Sequence, residues 1–376
     1  MLRIFMTGDQ HIGLRYASHE KGDVLAAARI SALEPMVEAA NSGGCSLFVL
    51  TGDLFENTYS ISAKVLARVV DILSGFRGTV AVLPGNHDYY GSDVRLWQDF
   101  RSLIAKKDNI MLLTEYRPYE LTAGGDDVVL YPALCTSQHS APGENNLGWI
   151  KQQGIVPDGA YRIGIAHGAV EGQTIDSEGQ YFLMKRQELE SIPVDVWLIG
   201  HTHVPFPRDL TDEFTACGRI LNAGTHVQTD VSCATDGECF IVEIGEDKSV
   251  RAKKFVSGVL EFHRIRLELT AGKMEEQLDR ALGPVPASRS VVDLVLTGSV
   301  SPDEYRERAG ILDRKLSGFL EGSYSDSELS ELISKERINA EFPETSFSAG
   351  LLTALLGEPK EAQLAYELLK SLKEGK

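Results

Sequence analysis

The stretch WLIGHTHVP, residues 197–205, places His201 and His203 directly after an apolar run and a glycine. A single histidine at a strand end is ordinarily a hydrogen-bonded structural residue. Two histidines one residue apart face the same side of an extended chain, about 6.6 Å from each other. This spacing alone permits one metal ion or two, and the rest of the chain has to decide between them.

The same arrangement of an apolar run followed by a polar turn recurs along the chain. The runs are LRIFMTGDQH, SLFVLTGDLF, GTVAVLPGNHD, AYRIGIAHG and DVWLIGHTH. Short runs rich in Val, Ile, Leu and Phe that close on glycine predict strands buried on both faces. Segments with helical spacing of apolar residues separate the first three runs, which predicts an α/β domain. In such domains ligands gather at the carboxyl ends of the strands.

The pattern changes after residue 204. The segments GRILNAGT, ECFIVEIG and VRAKKFV predict strands with few helices between them, and we expect a second, more antiparallel sheet here. From about residue 260, strand and helix patterns alternate again, and the tail predicts a helical hairpin that is broken at the sequence GEP. We therefore predict a main domain over 1–260, a small α/β accessory (capping) domain over 261–345 and a C-terminal helical hairpin over 346–376.

The composition is that of a soluble globular protein, with 376 residues, 43% hydrophobic and 24% charged. No apolar run is long enough to predict a membrane span, and the start MLRIFMTGDQHIG lacks the features of an export signal. Five cysteines without CxxC spacing predict reduced thiols, so we expect a cytoplasmic protein. The net charge of -17 disfavours nucleic-acid binding through overall charge, because phosphate binding depends on clustered Lys and Arg.

Each of the five runs ends in residues that can bind a metal ion. The candidates are Asp9, His11, Asp53, Asn86, His167, His201 and His203. Each alone has an ordinary explanation as a turn former or a structural histidine, but their recurrence at five strand ends favours a shared metal site. Ligands of this kind without thiolate suit Mn²⁺, Fe²⁺ or Zn²⁺. Seven candidate ligands are too many for one tetrahedral zinc ion, which takes about four. They fit two ions roughly 3.5–4 Å apart, the arrangement that binds a phosphoryl group during hydrolysis.

In chain order, the motifs GDQH, GDLF, GNHD, AHG and GHTH are similar to the five motifs of the calcineurin-like metallophosphoesterases, over roughly residues 1–225. The resemblance implies an α/β fold with two packed mixed β-sheets flanked by helices. It also implies two ligand sets that share a bridging Asp53: Asp9, His11, Asp53 and His203 for one ion, and Asp53, Asn86, His167 and His201 for the other. By the same resemblance, His87 faces the substrate as general acid or charge stabiliser, and Asp88 orients it.

The chemistry of phosphoester hydrolysis gives His87 a role on independent grounds. Two cations lower the pKa of a water molecule and neutralise the phosphate, so that in-line attack becomes feasible. The leaving alkoxide needs a proton, and His87 lies next to a predicted ligand without being one. The alternative is that His87 only supports the ligands through hydrogen bonds.

Within the superfamily the chain most resembles the SbcD-type DNA repair nucleases, through the opening GDQHIGLRY, the motif GDLFE before a helix, and the small C-terminal module with its helical tail. This resemblance implies manganese-dependent exonuclease and endonuclease activity on DNA, a homodimer, and an SbcC-type coiled-coil ATPase as partner. One position departs from the group. Three residues after Asp53 the group has a histidine that helps place the phosphate, whereas this chain has Glu56. A carboxylate there repels phosphate and disfavours processive exonuclease activity.

The predicted substrate contacts are Arg15, Tyr16, His19 and Glu56. The first three follow the first ligand pair and are candidates to bind a phosphate backbone and stack a base. The alternative is a solvated loop. The segment 137–152 either caps the metal cleft or is a surface loop.

Two other functions stay open: a phosphatase or phosphodiesterase for small nucleotides or phosphoproteins, and a non-catalytic scaffold. The apolar stripes of LLTALL and AYELLKSL in the tail either dock on a helix of another chain or bury each other.

Overall fold

The computed structural model describes residues 1–154, 159–173, 176, 178–233 and 235–374. The chain divides into two compact units, Met1–Leu260 and Glu261–Lys376. A further boundary between residues 345 and 346 stays a prediction. In the described ranges no helix combines the length and the apolar character that a membrane crossing requires.

The first unit alternates strands and helices over its first half. Its strands are β1 (Leu2–Thr7), β2 (Leu47–Leu50), β3 (Thr79–Val82), β4 (Ile110–Leu112), β5 (Tyr119–Ala123), β6 (Asp126–Ala133), β7 (Tyr161–His167), β8 (Val196–Gly200), β9 (Thr215–Ala216), β10 (Ile220–Asn222), β11 (Glu238–Ile244) and β12 (Val250–Val256). Its helices are α1 (Gly22–Ser31), α2 (Leu33–Ser42), α3 (Ala63–Ser74), α4 (Arg95–Ile104), α5 (Gly148–Gln153) and α6 (Arg186–Ser191). The helical segment predicted between β1 and β2 is two helices, α1 and α2. The break falls at Ala32, because Pro35 lacks the N–H that would bond to the carbonyl of Ser31.

The strands of this unit form two mixed sheets. The first has the order β4-β3-β2-β1-β11-β12-β9 and the second the order β10-β8-β7-β6-β5. Strands β1 to β4 run parallel to one another, whereas β11 is antiparallel to both β1 and β12. The expected separate antiparallel sheet after residue 204 is therefore wrong. Strand β11 is buried along its whole length and completes the first sheet, while β10 extends the second sheet parallel to β8.

The two sheets pack face to face and helices cover their outer faces. Ile4 and Val49 of the first sheet share one buried cluster with Ile165 and Leu198 of the second. The opposite face of the first sheet packs on α2, α3 and α4, and that of the second on α5 and α6. Alternate residues of a strand point to opposite faces, so continuous apolar runs feed both layers at once. The predicted α/β fold of two packed mixed sheets flanked by helices is confirmed.

The second unit contains a small parallel sheet and further helices. Its elements are β13 (Glu261–Thr270), α7 (Met274–Leu282), β14 (Ser290–Val300), α8 (Pro302–Leu316), β15 (Glu321–Glu331), α9 (Lys335–Glu341), α10 (Phe347–Ala354) and α11 (Pro359–Glu374). The sheet order is β13-β14-β15, and Leu278 of α7 and Leu312 of α8 pack against Leu294 of β14. Strand β15 was not predicted, because its sequence EGSYSDSELSE lacks the apolar alternation of a strand.

Candidate metal centre

Four of the predicted ligands leave their strands with an unusual backbone conformation. The φ angles are 56° at Asp9, 46° at His11, 52° at Asp53 and 101° at His201. Residues other than glycine rarely adopt positive φ, and such strain concentrates at functional sites. Strand β8 ends at Gly200, so the assumption that His201 continues an extended strand was wrong. The two histidines of the GHTH motif, His201 and His203, nevertheless belong to two different groups of side chains.

The first group contains Asp9, His11 and His203, whose potential ligand atoms all lie within 4.8 Å of one another. Nε2 of His11 lies 2.9 Å from Nε2 of His203. The carboxylate of Asp9 also accepts the backbone N–H of His201, at 2.9 Å and 3.1 Å from its two oxygens. This group joins the ends of β1 and β8, which belong to different sheets.

The second group contains Asp53, His167 and His201, and Asn86 contacts both of these histidines. Oδ1 of Asn86 lies 2.9 Å from Nε2 of His167 and 3.0 Å from Nδ1 of His201. The two histidines of the opening motif thus lie in different groups. Individual ligand roles stay predictions.

Asp53 lies between the two groups. Its Oδ2 is 3.2 Å from Nε2 of His167 and 3.8 Å from Nε2 of His11. Its Oδ1 accepts the backbone N–H of His87 at 2.8 Å, which fixes the carboxylate plane. One oxygen of Asp53 therefore faces both groups, as a bridging ligand requires.

The hydrogen bonds around His167 show that this side-chain set fits cations. Nδ1 of His167 donates to the backbone carbonyl of Thr51 at 2.9 Å, because a carbonyl can only accept. Nε2 faces two acceptors, Oδ2 of Asp53 and Oδ1 of Asn86, so this position takes either a proton or, in its place, a cation. His11 is arranged alike, since its Nδ1 donates to the carboxylate of Glu56. Such convergent lone pairs fit divalent ions, and a carbonyl or carboxylate behind each imidazole is the usual support of a metal-binding histidine.

Burial and neighbouring charges perturb the pKa values of the ligand residues. Burial raises the pKa of Asp9 to about 6, with a further contribution from the charge of Asp53. Burial disfavours the charged form of His167, but the charges of Asp53 and Asp9 outweigh it and raise the pKa of His167 to about 9. Burial lowers the pKa of His201 to about 4 and that of His203 to about 3. At neutral pH the last two histidines therefore offer free lone pairs, whereas His167 holds a proton that an incoming ion must displace.

His87 lies at the edge of the centre, with its side chain 36% exposed. Its ring packs edge-on against that of His11, and its Nδ1 donates to the carbonyl of Glu56 at 3.1 Å. The orienting role of Asp88 stays a prediction, and the structure shows which groups its carboxylate binds. Both carboxylate oxygens of Asp88 accept backbone N–H groups, from Gly85 at 2.6 Å and Phe55 at 3.0 Å, so this buried side chain supports the loop that carries Asn86 and His87.

The structure also changes the predicted substrate contacts. Tyr16 is only 7% exposed, so its ring is not available to stack on a base. Arg15 is exposed and His19 is half-buried on the wall of an open groove. Glu56, predicted to lie against the substrate, directs its carboxylate to Nδ1 of His11 at 2.9 Å. Its contact is with a candidate ligand, and the sequence held no signal for it because the two residues are 45 positions apart.

Tyr181 is a site residue that the sequence analysis missed. Its ring lies 5.1 Å from that of His201, measured between centroids. The segment 137–146, within the proposed cap, supports this position: Ser140 donates its backbone N–H to Gln180 and accepts that of Phe182 on its hydroxyl. This part of the segment thus helps to form the wall beside the second group.

Paired Asp, Asn and His groups at the strand ends of a four-layer α/β sandwich define the class of two-metal hydrolases. The family profile described as calcineurin-like phosphoesterase matches residues 2–205. The chain therefore belongs to the calcineurin-like phosphoesterases, and it is a metal-dependent phosphoesterase with a candidate dimetal centre. The superfamily predicted from the five motifs is confirmed.

Several solved structures are similar to this chain at low identity. The protein TT1561 of Thermus thermophilus is 12% identical with a TM-score of 0.42, over 68% of this chain and 99% of that one. A dimetal phosphatase from Danio rerio is 12% identical with a TM-score of 0.36, over 68% and 98%. The purple acid phosphatase PPD1 from yellow lupin (Lupinus luteus) seeds is 11% identical with a TM-score of 0.40, over 68% and 51%.

Proposed function

We propose that this chain is a DNA phosphodiesterase of SbcD type, with two divalent ions, Mn²⁺ in first place and Fe²⁺ or Zn²⁺ as alternatives. Support for the subgroup comes from the sequence GDQHIGLRY after β1 and GDLFE before α3. The proposal includes both exonuclease and endonuclease action, and the carboxylate of Glu56 disfavours processive exonuclease action.

The ions and the residues of the metal centre have separate roles in the proposed hydrolysis. The ions, when bound, supply positive charge for the phosphate oxygens and lower the pKa of the attacking water. Asp53 holds its Oδ2 between the two groups, because its Oδ1 is fixed by the backbone of His87. His87 donates from Nδ1 to a carbonyl, so Nε2 is the other nitrogen of its exposed ring, and in the imidazolium form of His87 this atom can give a proton to the leaving oxygen.

The observation that favours a polymeric substrate is an open groove of about 1000 Å³ beside the metal centre. It begins at Gly13, two residues after His11, and runs between the loop 13–21, α1 and the first turns of α3. Arg15, His19 and Lys64 line it, and Arg68 lies there in an ion pair with Glu34. Glu20 and Asp23 also line this groove, so contacts to a phosphate backbone would come from the individual side chains of Arg15 and Lys64 and not from a net positive charge of the groove.

The experiment compares two substrates with Mn²⁺-loaded protein: end-labelled DNA, single- and double-stranded, and bis-p-nitrophenyl phosphate. We expect both to be hydrolysed and both activities to disappear in Asp53→Asn. The double variant Arg15→Ser and Lys64→Ser should reduce DNA cleavage several-fold and leave the small diester unaffected. Hydrolysis of the small diester without any DNA cleavage, alone or with the partner proposed below, would contradict the nuclease assignment.

The partner that we propose is an SbcC-type coiled-coil ATPase that binds α11. This helix buries Ala362 and Tyr366 against α9 and α10, but exposes Leu364, Leu368 and Leu372 at 61%, 58% and 75%. A leucine every four residues forms one stripe, which suits docking on another helix. Leu364→Ser with Leu368→Ser should abolish capture of the ATPase from the same cell, while Lys370→Ser on the same helix should not. A homodimer is also proposed, and sedimentation of the full chain tests it.

A phosphatase or phosphodiesterase for small nucleotides or phosphoproteins is the second candidate, and Glu56 favours it. This carboxylate lies 4.0 Å from Nδ1 of His87, the residue that we propose to protonate the leaving group. Its negative charge repels further phosphates of a polyanion more than it repels a single phosphoester. Faster turnover of nucleoside monophosphate esters than of oligonucleotides would support this candidate. A non-catalytic scaffold would show no turnover of any ester with Mn²⁺.

A further inference from the structure

Arg29 is a buried arginine behind the metal centre, only 1% exposed, in α1. Its Nε and Nη2 donate to the backbone carbonyl of Gln10, at 3.1 Å and 2.7 Å. Its Nη1 donates to the carbonyls of Val227 at 3.0 Å and Gln228 at 3.3 Å. In the part of the chain that the structure describes, its partners are carbonyl and hydroxyl oxygens and none is a carboxylate. Burial of a charge without a counter-ion costs folding free energy, which indicates that Arg29 has a function beyond stabilising the fold.

The carbonyl that Arg29 binds belongs to the residue between two candidate ligands. Gln10 separates Asp9 from His11, and both neighbours have positive φ. The preceding carbonyl, that of Asp9, accepts the hydroxyl of Thr225 at 2.9 Å. Two successive carbonyls are thus held by donors, and their fixed orientation determines where the side chains of Asp9 and His11 point. These two donors, together with the bonds from the N–H groups of Asp9 and His11 to the carbonyls of Gly52 and Asp53, compensate the strain of the left-handed conformation.

Arg29 also ties this loop to a second one. Residues 225–228 lie alongside the loop 8–11, with a β-bridge between Gly8 and Thr225. The planar guanidinium can bond to both loops at once because its donors form a fixed fork, which a lysine ammonium does not offer. The second group of candidate ligands is held by other contacts, such as the bond from His167 to Thr51.

We infer that Arg29 is a positioning residue for the ion of the Asp9, His11 and His203 group, acting through the backbone of Gln10. The inference rests on the metal centre and not on DNA as the substrate. It therefore separates the two ions: loss of the guanidinium weakens one and spares the other.

The test is a calorimetric titration of metal-free protein with Mn²⁺, together with a melting temperature for each variant. We expect two bound ions in the unaltered chain. Arg29→Met should weaken one of them about 10- to 100-fold, the range found when a support behind a ligand is removed. The Mn²⁺ affinity of Arg29→Lys should lie between that of the unaltered chain and that of Arg29→Met. The weakened step should be the one that His203→Ala removes, and the retained step the one that His167→Ala removes.

A matched control is Arg162→Lys, at the start of β7, where the guanidinium pairs with Asp195 away from the centre. Both ions should bind this variant as they bind the unaltered chain. If the Arg29 variants do not fold, Thr225→Val removes the donor to the carbonyl of Asp9 and should weaken the same ion. Equal weakening of both ions, or full retention of both in folded Arg29→Met or Thr225→Val, overturns the positioning role.

Discussion

Nδ1 of His11 donates a hydrogen bond of 2.9 Å to the carboxylate of Glu56. Burial disfavours the charged form of His11, but this bond and the charge of Asp53 outweigh it and raise its pKa. The bond fixes the tautomer of His11, so that Nε2 faces His203 and the metal centre. The position at which this chain departs from the SbcD-type nucleases thus supports a candidate ligand.

Removal of this contact should weaken metal binding. We expect Glu56→Ala to lower the affinity for one Mn²⁺ ion about 10- to 100-fold, because His11 loses its fixed orientation. Glu56→Gln keeps an oxygen acceptor and should lose less. Calorimetric titration measures both, and an unchanged affinity in Glu56→Ala would show that His11 is held by other contacts.

His87 should matter most for substrates with a poor leaving group. We expect His87→Asn to lower kcat about 10²- to 10⁴-fold for an alkyl phosphodiester, since the alkoxide then lacks a proton donor. The loss should be much smaller for bis-p-nitrophenyl phosphate, because nitrophenolate leaves without protonation. Mn²⁺ affinity serves as the control and should not change. Equal losses on both substrates would argue for charge stabilisation instead of proton donation.

Gly85 should be intolerant of any side chain. A Cβ at this position would lie 2.2 Å from Oδ1 and 2.3 Å from the backbone N of Asp53. Because Asp53 faces both groups, Gly85→Ala should impair the binding of both ions, measured by titration with Mn²⁺. Gly218→Ala is the matched control, since its Cβ would meet nothing within 4 Å. Normal Mn²⁺ binding by Gly85→Ala would mean that Asp53 can shift without loss.

The stability of the metal-free protein should fall at alkaline pH. The pKa of folded His167, about 9, lies above the ordinary value of 6.5, so its proton stabilises the folded state. This contribution is complete below pH 6.5 and is lost as the pH rises through 9. Between about pH 7.5 and 9.5, above the pKa values of about 6 for Asp9 and about 7 for Asp88, the melting temperature in a chelator should decline.

Two comparisons isolate the contribution of His167 in that experiment. Mn²⁺-loaded protein should show a smaller decline, because the ion has replaced the proton. His167→Asn should also show a smaller decline in the chelator. An identical decline in the variant and the unaltered chain would assign the effect to another group.

The sequence alone predicted the fold class and the superfamily, because both depend on local patterns. Apolar runs that are buried on both faces predict strands, and the carboxyl ends of such strands meet at one edge. The candidate ligands Asp9, Asn86 and His201 could therefore be selected from their places in the chain. Strand β15 escaped prediction because its polar sequence carries no alternation.

The tertiary structure decided which side chains support the ligands. Glu56 bonds to His11, Asp88 bonds to the backbone of Phe55 and Gly85, and Arg29 bonds to Val227, 198 positions away. Sequence determined the kind of metal chemistry, since ligand types and strand ends are local properties. Only the folded chain determined its geometry, because hydrogen bonds depend on separations of about 3 Å that distance along the chain does not specify.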